Sequence, residues 1–417
     1  MMKNEAKYEN KIVLSNVGNI DPTNINDYIE TRGYEAAKKI VSNEYTPLNV
    51  IDIIKNSGLR GRGGAGFPTG AKWEFTAKEK ADKKFIVCNA DEGEPGTFKD
   101  RLILEGDPHR ILEGMIIAGY AVGAQKGFIY IRGEYSTAIE RITNAIKDAY
   151  EKHYLGNSIL GSSFNFDIEI KKGAGSYVCG EETSLIESIE GKRGNPRIKP
   201  PYPGQKGLWN YPTVVNNVET IANVAPILLN GADWFKSFGT EKSPGTKIFT
   251  LIGNVKNPGV VELPFGITLR EIIFGFGGGI SNDRKLKAIH LGGASGAVYD
   301  GSILDVPLDY DALKEKEGML GSGAVLVMDE ETDMRKYLKN VLEFFKHESC
   351  GQCVPCRIGT ARLCEMADDI IEKGGKEVNI EYMKHLTDVM FKSSLCPLGQ
   401  SVIMPVKSIF KYFNNEF

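Results

Sequence analysis

A run of cysteines three residues apart, Cys350-Gly-Gln-Cys353-Val-Pro-Cys356, followed by a solitary Leu395-Cys396-Pro397-Leu-Gly399, constrains this chain more than any other feature. Thiols at i, i+3 and i+6 can converge from one loop onto one face of a compact object, and a fourth from a distant loop closes the cage. Whatever the rest of the chain does, its fold must carry these two loops to one place. The seven cysteines are an odd number in a long chain without a secretory leader, which argues against a disulfide framework. Five of them crowd the C-terminal end; the fifth, Cys364, falls about two turns into the following helix and reads, like Cys88 and Cys179, as a buried apolar thiol.

Two inorganic centres compete for such a cage. Zinc sites more often show two separated Cys-x-x-Cys hairpins, whereas a Cys-x-x-Cys-x-x-Cys run with a remote Cys-Pro is associated with [4Fe–4S] ligation. The mostly small residues between the thiols leave room for an object larger than one ion. Spacing therefore favours iron–sulfur, with structural zinc as the alternative.

At 417 residues the chain exceeds one ordinary core, and its patterning divides it. Residues 1–48 form a polar arm with helical spacing from Asn24 to Val41. Residues 49–240 alternate strands and helices. Thr46-Pro47 opens a helix, Lys84–Asn89 reads as a buried strand, Arg110–Ala124 as a helix and Gly127–Ile131 as a strand. Thr137–Tyr150 is then helical, Phe164–Ile170 extended, and Gly180–Ile189 helical. This alternation predicts an α/β layered domain. Between 245 and 328 short β-rich pieces (Lys247–Ile252, Gly259–Leu263, Lys287–Leu291, Ala324–Met328) flank one helix near Leu269–Phe274, as in a small mixed insert. From 333 to 417, apolar residues such as Leu338, Val341, Leu342 and Phe345 recur at helical spacing and predict a terminal bundle.

The formal net charge of -3 gives no reason to expect nucleic acid or an anionic membrane as partner. The N-terminus lacks a signal-peptide core, and no apolar run reaches the ~18–20 residues that span a bilayer. The chain is expected in the cytoplasm, meeting a membrane only through partners.

Gly61, Gly63 and Gly66 satisfy G-x-G-x-x-G, but the preceding segment reads as a helix, and Pro68-Thr69-Gly70 does not look like an immediate helix start. A dinucleotide fingerprint is not supported. Backbone N–H groups in such a loop can still approach an anion, with Arg60, Arg62 and Lys72 adding charge; a plain surface turn is the bland alternative. The turn Asn89-Ala-Asp91-Glu92-Gly-Glu94 follows a buried strand, where α/β sheets bind ligands. Its acids suit sugar hydroxyls or the polar edge of a ring, unless they are merely solvated. Glu181 and Glu182 could simply complement a helix dipole. Lys199-Pro-Pro-Tyr202-Pro is a stiff arm that could lie over a planar ligand or serve as a connector.

Five strings then resemble a known family together. They are Gly58-Leu-Arg-Gly-Arg-Gly-Gly-Ala-Gly-Phe-Pro-Thr-Gly-Ala-Lys-Trp73, Cys88-Asn-Ala-Asp-Glu-Gly-Glu-Pro-Gly-Thr97, Gly173-Ala-Gly-Ser-Tyr-Val-Cys-Gly-Glu-Glu-Thr183, Pro212-Thr-Val-Val-Asn-Asn-Val-Glu-Thr220 and Glu348-Ser-Cys-Gly-Gln-Cys-Val-Pro-Cys-Arg-Ile-Gly359. From about residue 25 onward the chain resembles the NADH-binding, FMN-bearing subunit of respiratory complex I and of NAD-dependent hydrogenases and formate dehydrogenases. The resemblance implies a Rossmann-like FMN/NADH domain, a β-grasp (ubiquitin-like) insert and a C-terminal helical bundle holding the cluster. It implies FMN held by Gly61, Arg62, Gly63, Gly64, Lys72, Asn89, Asp91, Gly180, Glu181, Asn216, Asn217 and Thr220. NADH is then expected near Glu94 and Glu182, with Phe67, Phe75 and Tyr202 stacking and Lys199 close by. Tyr202 is often phenylalanine in the family, a change that keeps the stacking surface. Cys350, Cys353, Cys356 and Cys396 match the family's [4Fe–4S] ligands.

The implied activity is hydride transfer from NADH to FMN and single-electron transfer to the cluster, with no catalytic acid or nucleophile. Glu182 beside the adenosine ribose predicts NADH over NADPH through like-charge repulsion. The chain begins and ends close to this core, with too few further cysteines for another cluster, so iron–sulfur partner subunits are expected to carry electrons onward. The competing class is a non-catalytic scaffold with structural zinc.

Overall fold

The computed structural model describes residues 11–374 and 378–417, so the first ten residues of the expected arm lie outside it. Its first sheet is wholly parallel, in the order β3-β2-β1-β4. The strands are β1 (Phe85–Ala90), β2 (Lys126–Arg132), β3 (Asp167–Gly173) and β4 (Thr213–Asn217). Burial on both faces explains the near-continuous apolar runs of β1 and β2. On one face Ile86, Cys88, Ile129 and Ile168 pack against the Pro108–Val122 helix, itself buried almost all round. On the other, Phe85, Val87, Phe128 and Tyr130 share a core with the Glu182–Ile189 helix and the C-terminal helices. The parallel sheet and the bundle thus share one apolar mass.

The second sheet is mixed, in the order β6-β5-β9-β7-β8. It is built from β5 (Thr246–Gly253), β6 (Gly259–Pro264), β7 (Leu286–Leu291), β8 (Ala297–Tyr299) and β9 (Ala324–Asp329). Parallel pairing of β5 with β9 and a separate core of Phe249, Leu291 and Val325 give it the β-grasp form. The bundle comprises helices Met334–Glu348, Val354–Lys373, Ile380–Ser393, Pro397–Ser401 and Ile403–Tyr412. Among the described residues no helix is long and apolar enough to cross a membrane.

Several expectations shift. The helical spacing of Asn24–Val41 resolves into two helices, Ile25–Glu30 and Glu35–Val41. The break is tertiary: buried Glu113 accepts hydrogen bonds from the Tyr28 hydroxyl (2.5 Å) and the Tyr34 amide (2.9 Å), and Tyr34 takes a positive φ to reach it. Pro68 does lead straight into a helix, Thr69–Lys78. Gly70 reads as a breaker, but it is there because a Cβ would lie 2.5 Å from the Lys55 backbone of the crossing Pro47–Asn56 helix. The strand expected from Phe164 pairs in the sheet only from Asp167. Strands β4 and β8 and the Tyr310–Glu315 helix went unread. The arm is tied to the β-grasp sheet by Glu262, whose carboxylate accepts from the amides of Ile12, Val13 and Leu14.

Candidate functional site

The glycine loop is pinched at its base, where Gly61 N–H bonds Phe67 O and Thr69 N–H bonds Leu59 O, each at 2.9 Å. A helix precedes it, as expected. Its Gly63 lies against Asn217, the last residue of β4. Thr220 Oγ1 accepts the Arg62 amide (2.8 Å), and Asn217 caps the Val218–Ala222 helix while donating to Asp100 (2.6 Å). Asn216 accepts from the Trp73 indole (2.9 Å). Asn89 donates to Gly180 O (2.9 Å), joining the end of β1 to the Tyr177–Gly180 turn.

The two arginines do not charge this loop as expected. The Arg62 guanidinium is fully buried, donates to the carbonyls of Arg60, Pro244 and Thr246, and stacks on Phe265 at 4.6 Å. Arg60 covers Tyr310 and donates to Gly66 O. Carbonyls satisfy both, so Arg62 offers the loop its backbone and only Lys72 keeps a half-buried ammonium, at 3.0 Å from Val215 O.

The acids sort by environment. Glu92 caps the Lys99–Gly106 helix through the amides of Asp100 and Arg101. Neither carboxylate oxygen of buried Asp91 has a hydrogen-bond partner, and Arg132 Nη1 stands 3.7 Å away. Burial pushes the Asp91 carboxyl up to about 7, with Arg132 offsetting only part. Glu94 is likewise pushed up to about 7 by burial, against hydrogen bonds from Tyr177 Oη (2.8 Å) and Ala294 N (2.5 Å). Glu181 caps the Glu182–Ile189 helix with one oxygen and pairs with Lys199 (2.8 Å) through the other. Burial raises Glu182 too, but the Lys72 (3.3 Å) and Lys199 (3.1 Å) ammoniums prevail and hold it below the usual carboxylate range. Phe67, Phe75 and Tyr202 all present exposed rings, and Gly204 beside Tyr202 packs against Thr76 next to Phe75. An unpartnered buried carboxylate, amide-lined glycines and bare aromatic faces fit a polar, planar ligand with an anionic tail.

The four expected cysteines line one pocket with Val178, Pro196, Ser349, Gln352, Leu395 and Leu398. Cys353 and Cys396 each stand at the N-cap position of a helix. Among the described residues no group of three or more His, Cys, Asp or Glu side chains is drawn together closely enough to hold a metal ion. Cys88, Cys179 and Cys364 are buried, as read.

The comparisons agree with this geometry. Residues 54–226 match the Nuo51 FMN-binding domain, residues 336–417 the NADH-ubiquinone oxidoreductase-F iron-sulfur binding region, and residues 248–299 the SLBB domain. One of the F-type subunits of NADH-quinone oxidoreductase in Rhizobium meliloti (strain 1021) is 46% identical over 406 residues, covering 97% of this chain and 96% of that one. The chain belongs to the family of F-type NADH-quinone oxidoreductase subunits. Within the family it is also 50% identical, over 99% of its length and 83% of the relative's, to the NADP-reducing hydrogenase subunit HndC of Solidesulfovibrio fructosivorans. A solved NAD+-reducing [NiFe]-hydrogenase, in its H2-reduced state, superposes with a TM-score of 0.80 at 37% identity. That match covers 89% of this chain, which spans 62% of the hydrogenase chain.

Sequence reasoning missed a buried charge network under the glycine loop of this F-type chain. Lys99 contacts Asp100 (2.6 Å) and Glu219 (2.9 Å), and Lys247 of β5 contacts Glu219 (2.6 Å). It also passed over Arg132, Tyr177 and the loop 292–296. Lys99 and Asp100 lie just beyond one recognised string, past Phe98, and Glu219 and Tyr177 lie inside two others, so a signal existed for all but Arg132, Lys247 and the loop.

Proposed function

We propose that this chain is an electron-entry subunit that oxidises NADH, or reduces NAD+, and hands electrons singly to iron–sulfur partner subunits in the cytoplasm. The division into residues 1–48, 49–240, 245–328 and 333–417 belongs to this reading. When bound, FMN exchanges a hydride with the nicotinamide and a [4Fe–4S] cluster takes electrons one at a time. The chain's own residues supply placement. The loop Gly61-Arg62-Gly63-Gly64 would receive the flavin phosphate, while Lys72, Asn89, Asp91, Gly180, Glu181, Asn216, Asn217 and Thr220 would border the rest of the flavin. Phe67, Phe75 and Tyr202 would stack the nucleotide, with Glu94, Glu182 and Lys199 at its polar groups, and Cys350, Cys353, Cys356 and Cys396 would hold the cluster.

One observation carries the reading. The Tyr177–Gly180 turn is a wall of both sites: Gly180 is bonded by Asn89 on the glycine-loop side, and Val178 lines the cysteine pocket two residues earlier. Two redox groups separated by one turn of chain suit single-electron transfer. Protein purified without oxygen should contain FMN, iron and acid-labile sulfide, and NADH should bleach the flavin absorbance and elicit the paramagnetic signal of the one-electron-reduced cluster. Colourless protein carrying zinc overturns it.

A further inference from the structure

The β-grasp domain reaches Glu94 through the loop between β7 and β8. The loop Gly292-Gly-Ala-Ser-Gly296 between β7 and β8 presents the Ala294 amide to Glu94 at 2.5 Å. Gly293, at φ +91°, lies so close that a Cβ there would sit 2.2 Å from the Glu94 carboxyl carbon. The second donor to Glu94 is Tyr177 (2.8 Å), whose hydroxyl also contacts Ser295. Nearby, Thr97 and Ser322 share a hydrogen bond of 2.7 Å across the same junction.

The loop is braced from behind. His290 of β7 bonds Gly296 O through Nε2 (3.1 Å) and Tyr337 Oη through Nδ1 (2.6 Å). A carbonyl can only accept, so Nε2 carries the hydrogen and the tyrosine donates to Nδ1. Tyr337 lies on the Met334–Glu348 helix, which runs toward the cysteine loop. The Tyr177 amide donates to Glu348 (3.0 Å) at the end of that helix, and its ring meets Phe344 at 5.1 Å.

We propose that the loop 292–296 is a positioning clasp. With Tyr177 it fixes the Glu94 carboxylate toward the nicotinamide nucleotide and ties that carboxylate to the helix leading into the cluster loop. The inference rests on the reading that Glu94 borders the NADH site, and it gives the β-grasp domain a task in the reaction. A carboxylate offers about four lone-pair directions. The clasp occupies two with protein donors and leaves the others to hydroxyl or amide donors of the ligand. Tyr177 and Ala294 act as positioning residues through Glu94, and His290 acts through the loop behind it.

The test uses the FMN- and cluster-loaded protein with Tyr177→Phe, Gly293→Ala and His290→Gln. Removing a donor to a buried carboxylate should weaken NAD+ binding and raise the KM for NADH roughly tenfold, with kcat to a one-electron dye changing less than about twofold. Gly293→Ala should act more strongly and His290→Gln more weakly. Hydrogen–deuterium exchange in the peptide containing Ala294 should quicken in Tyr177→Phe and be slowed by NAD+ in the unaltered protein. Unchanged NAD+ affinity and KM in Tyr177→Phe and Gly293→Ala, at full FMN and iron content, overturn the clasp. Should Tyr177→Phe lose its cofactors, His290→Gln decides by the same split between KM and kcat. Failure of the unaltered protein to oxidise NADH would instead overturn the functional reading itself.

Discussion

On one side of the Tyr177–Gly180 turn stand Lys72, Lys199, Glu181, Glu182 and Asp91; on the other, Val178, Pro196, Leu395 and Leu398 surround four thiols. The first wall is dense in paired charge and the second has none lining it. A flavin phosphate and a dinucleotide are solvated ions that need fixed partners, and the polar wall already supplies them. A thiolate-ligated cluster carries its charge in its own ligands and needs only dipoles around it, here the helix starts at Cys353 and Cys396. The cysteine wall itself is apolar, and burial pushes the Cys396 thiol up to about 12. The nucleotide wall should therefore keep its shape without ligand, whereas the cysteine wall needs the cluster to make its thiols into ligands.

The largest effect that can break this contrast is loss of one thiol. Cys396→Ala should abolish the cluster's paramagnetic signal and drop iron content nearly to zero, while FMN stays bound and NADH still reduces a two-electron dye. Full iron in that variant would mean another residue closes the cage.

Arg62 tests the nucleotide wall next. Three carbonyls and a ring enclose its guanidinium, so Arg62→Met leaves buried acceptors without a donor and should cost about 3 kcal/mol of stability. Arg60→Met, at a partly solvated site, should cost about 1 kcal/mol or less. Urea denaturation of the two variants compares them directly, and equal costs would show that the burial of Arg62 matters little.

That contrast between neighbouring arginines also marks where the sequence stops being legible. Thiol spacing is dictated by what a compact cluster can accept, and strands buried on both faces must be apolar throughout, so the cage, β1 and β2 could be read directly. Strand β4 could not, because Thr-Val-Val-Asn-Asn mixes a buried run with two asparagines that bond side chains of neighbouring helices, Trp73 and Asp100. The direction of Arg62 is set by carbonyls from residues 244 and 246, and the partner of Glu94 lies 200 residues downstream. No local pattern records such contacts. The helix break at Tyr34 has the same origin in Glu113, a glutamate on another helix.

Acidity separates the walls by a smaller amount. Asp91 and Glu94 are both pushed up to about 7, so between the ordinary carboxylate range and about 7 the folded chain holds more protons than the unfolded one. The stability of the ligand-free protein should accordingly fall as pH rises from ~4 to ~7. Ligands that donate hydrogen bonds to these carboxylates favour their charged forms, so binding near neutral pH should release protons. Calorimetry of FMN or NAD+ binding in buffers of different ionisation enthalpy measures the release; proton uptake would contradict the assignment of these acids to the ligand face.

The smallest expected effect concerns nucleotide choice. Glu182 alone would repel a 2′-phosphate, but Lys72 and Lys199 share its charge at 3.3 and 3.1 Å. A phosphate arriving there meets two cations as well as one anion, so the preference for NADH over NADPH should be modest rather than absolute. A relative 50% identical to this chain is an NADP-reducing hydrogenase subunit, which accords with a balance that small changes can tip. Glu182→Gln removes the repulsion and frees both ammoniums, and should shift the NADH/NADPH ratio of kcat/KM toward NADPH by about fivefold, about 1 kcal/mol. Lys199→Gln leaves Glu182 with one partner and should shift the ratio the other way. If the two substitutions moved the ratio in the same direction, opposed charges could not be what sets it, and the polar wall would be selecting by shape.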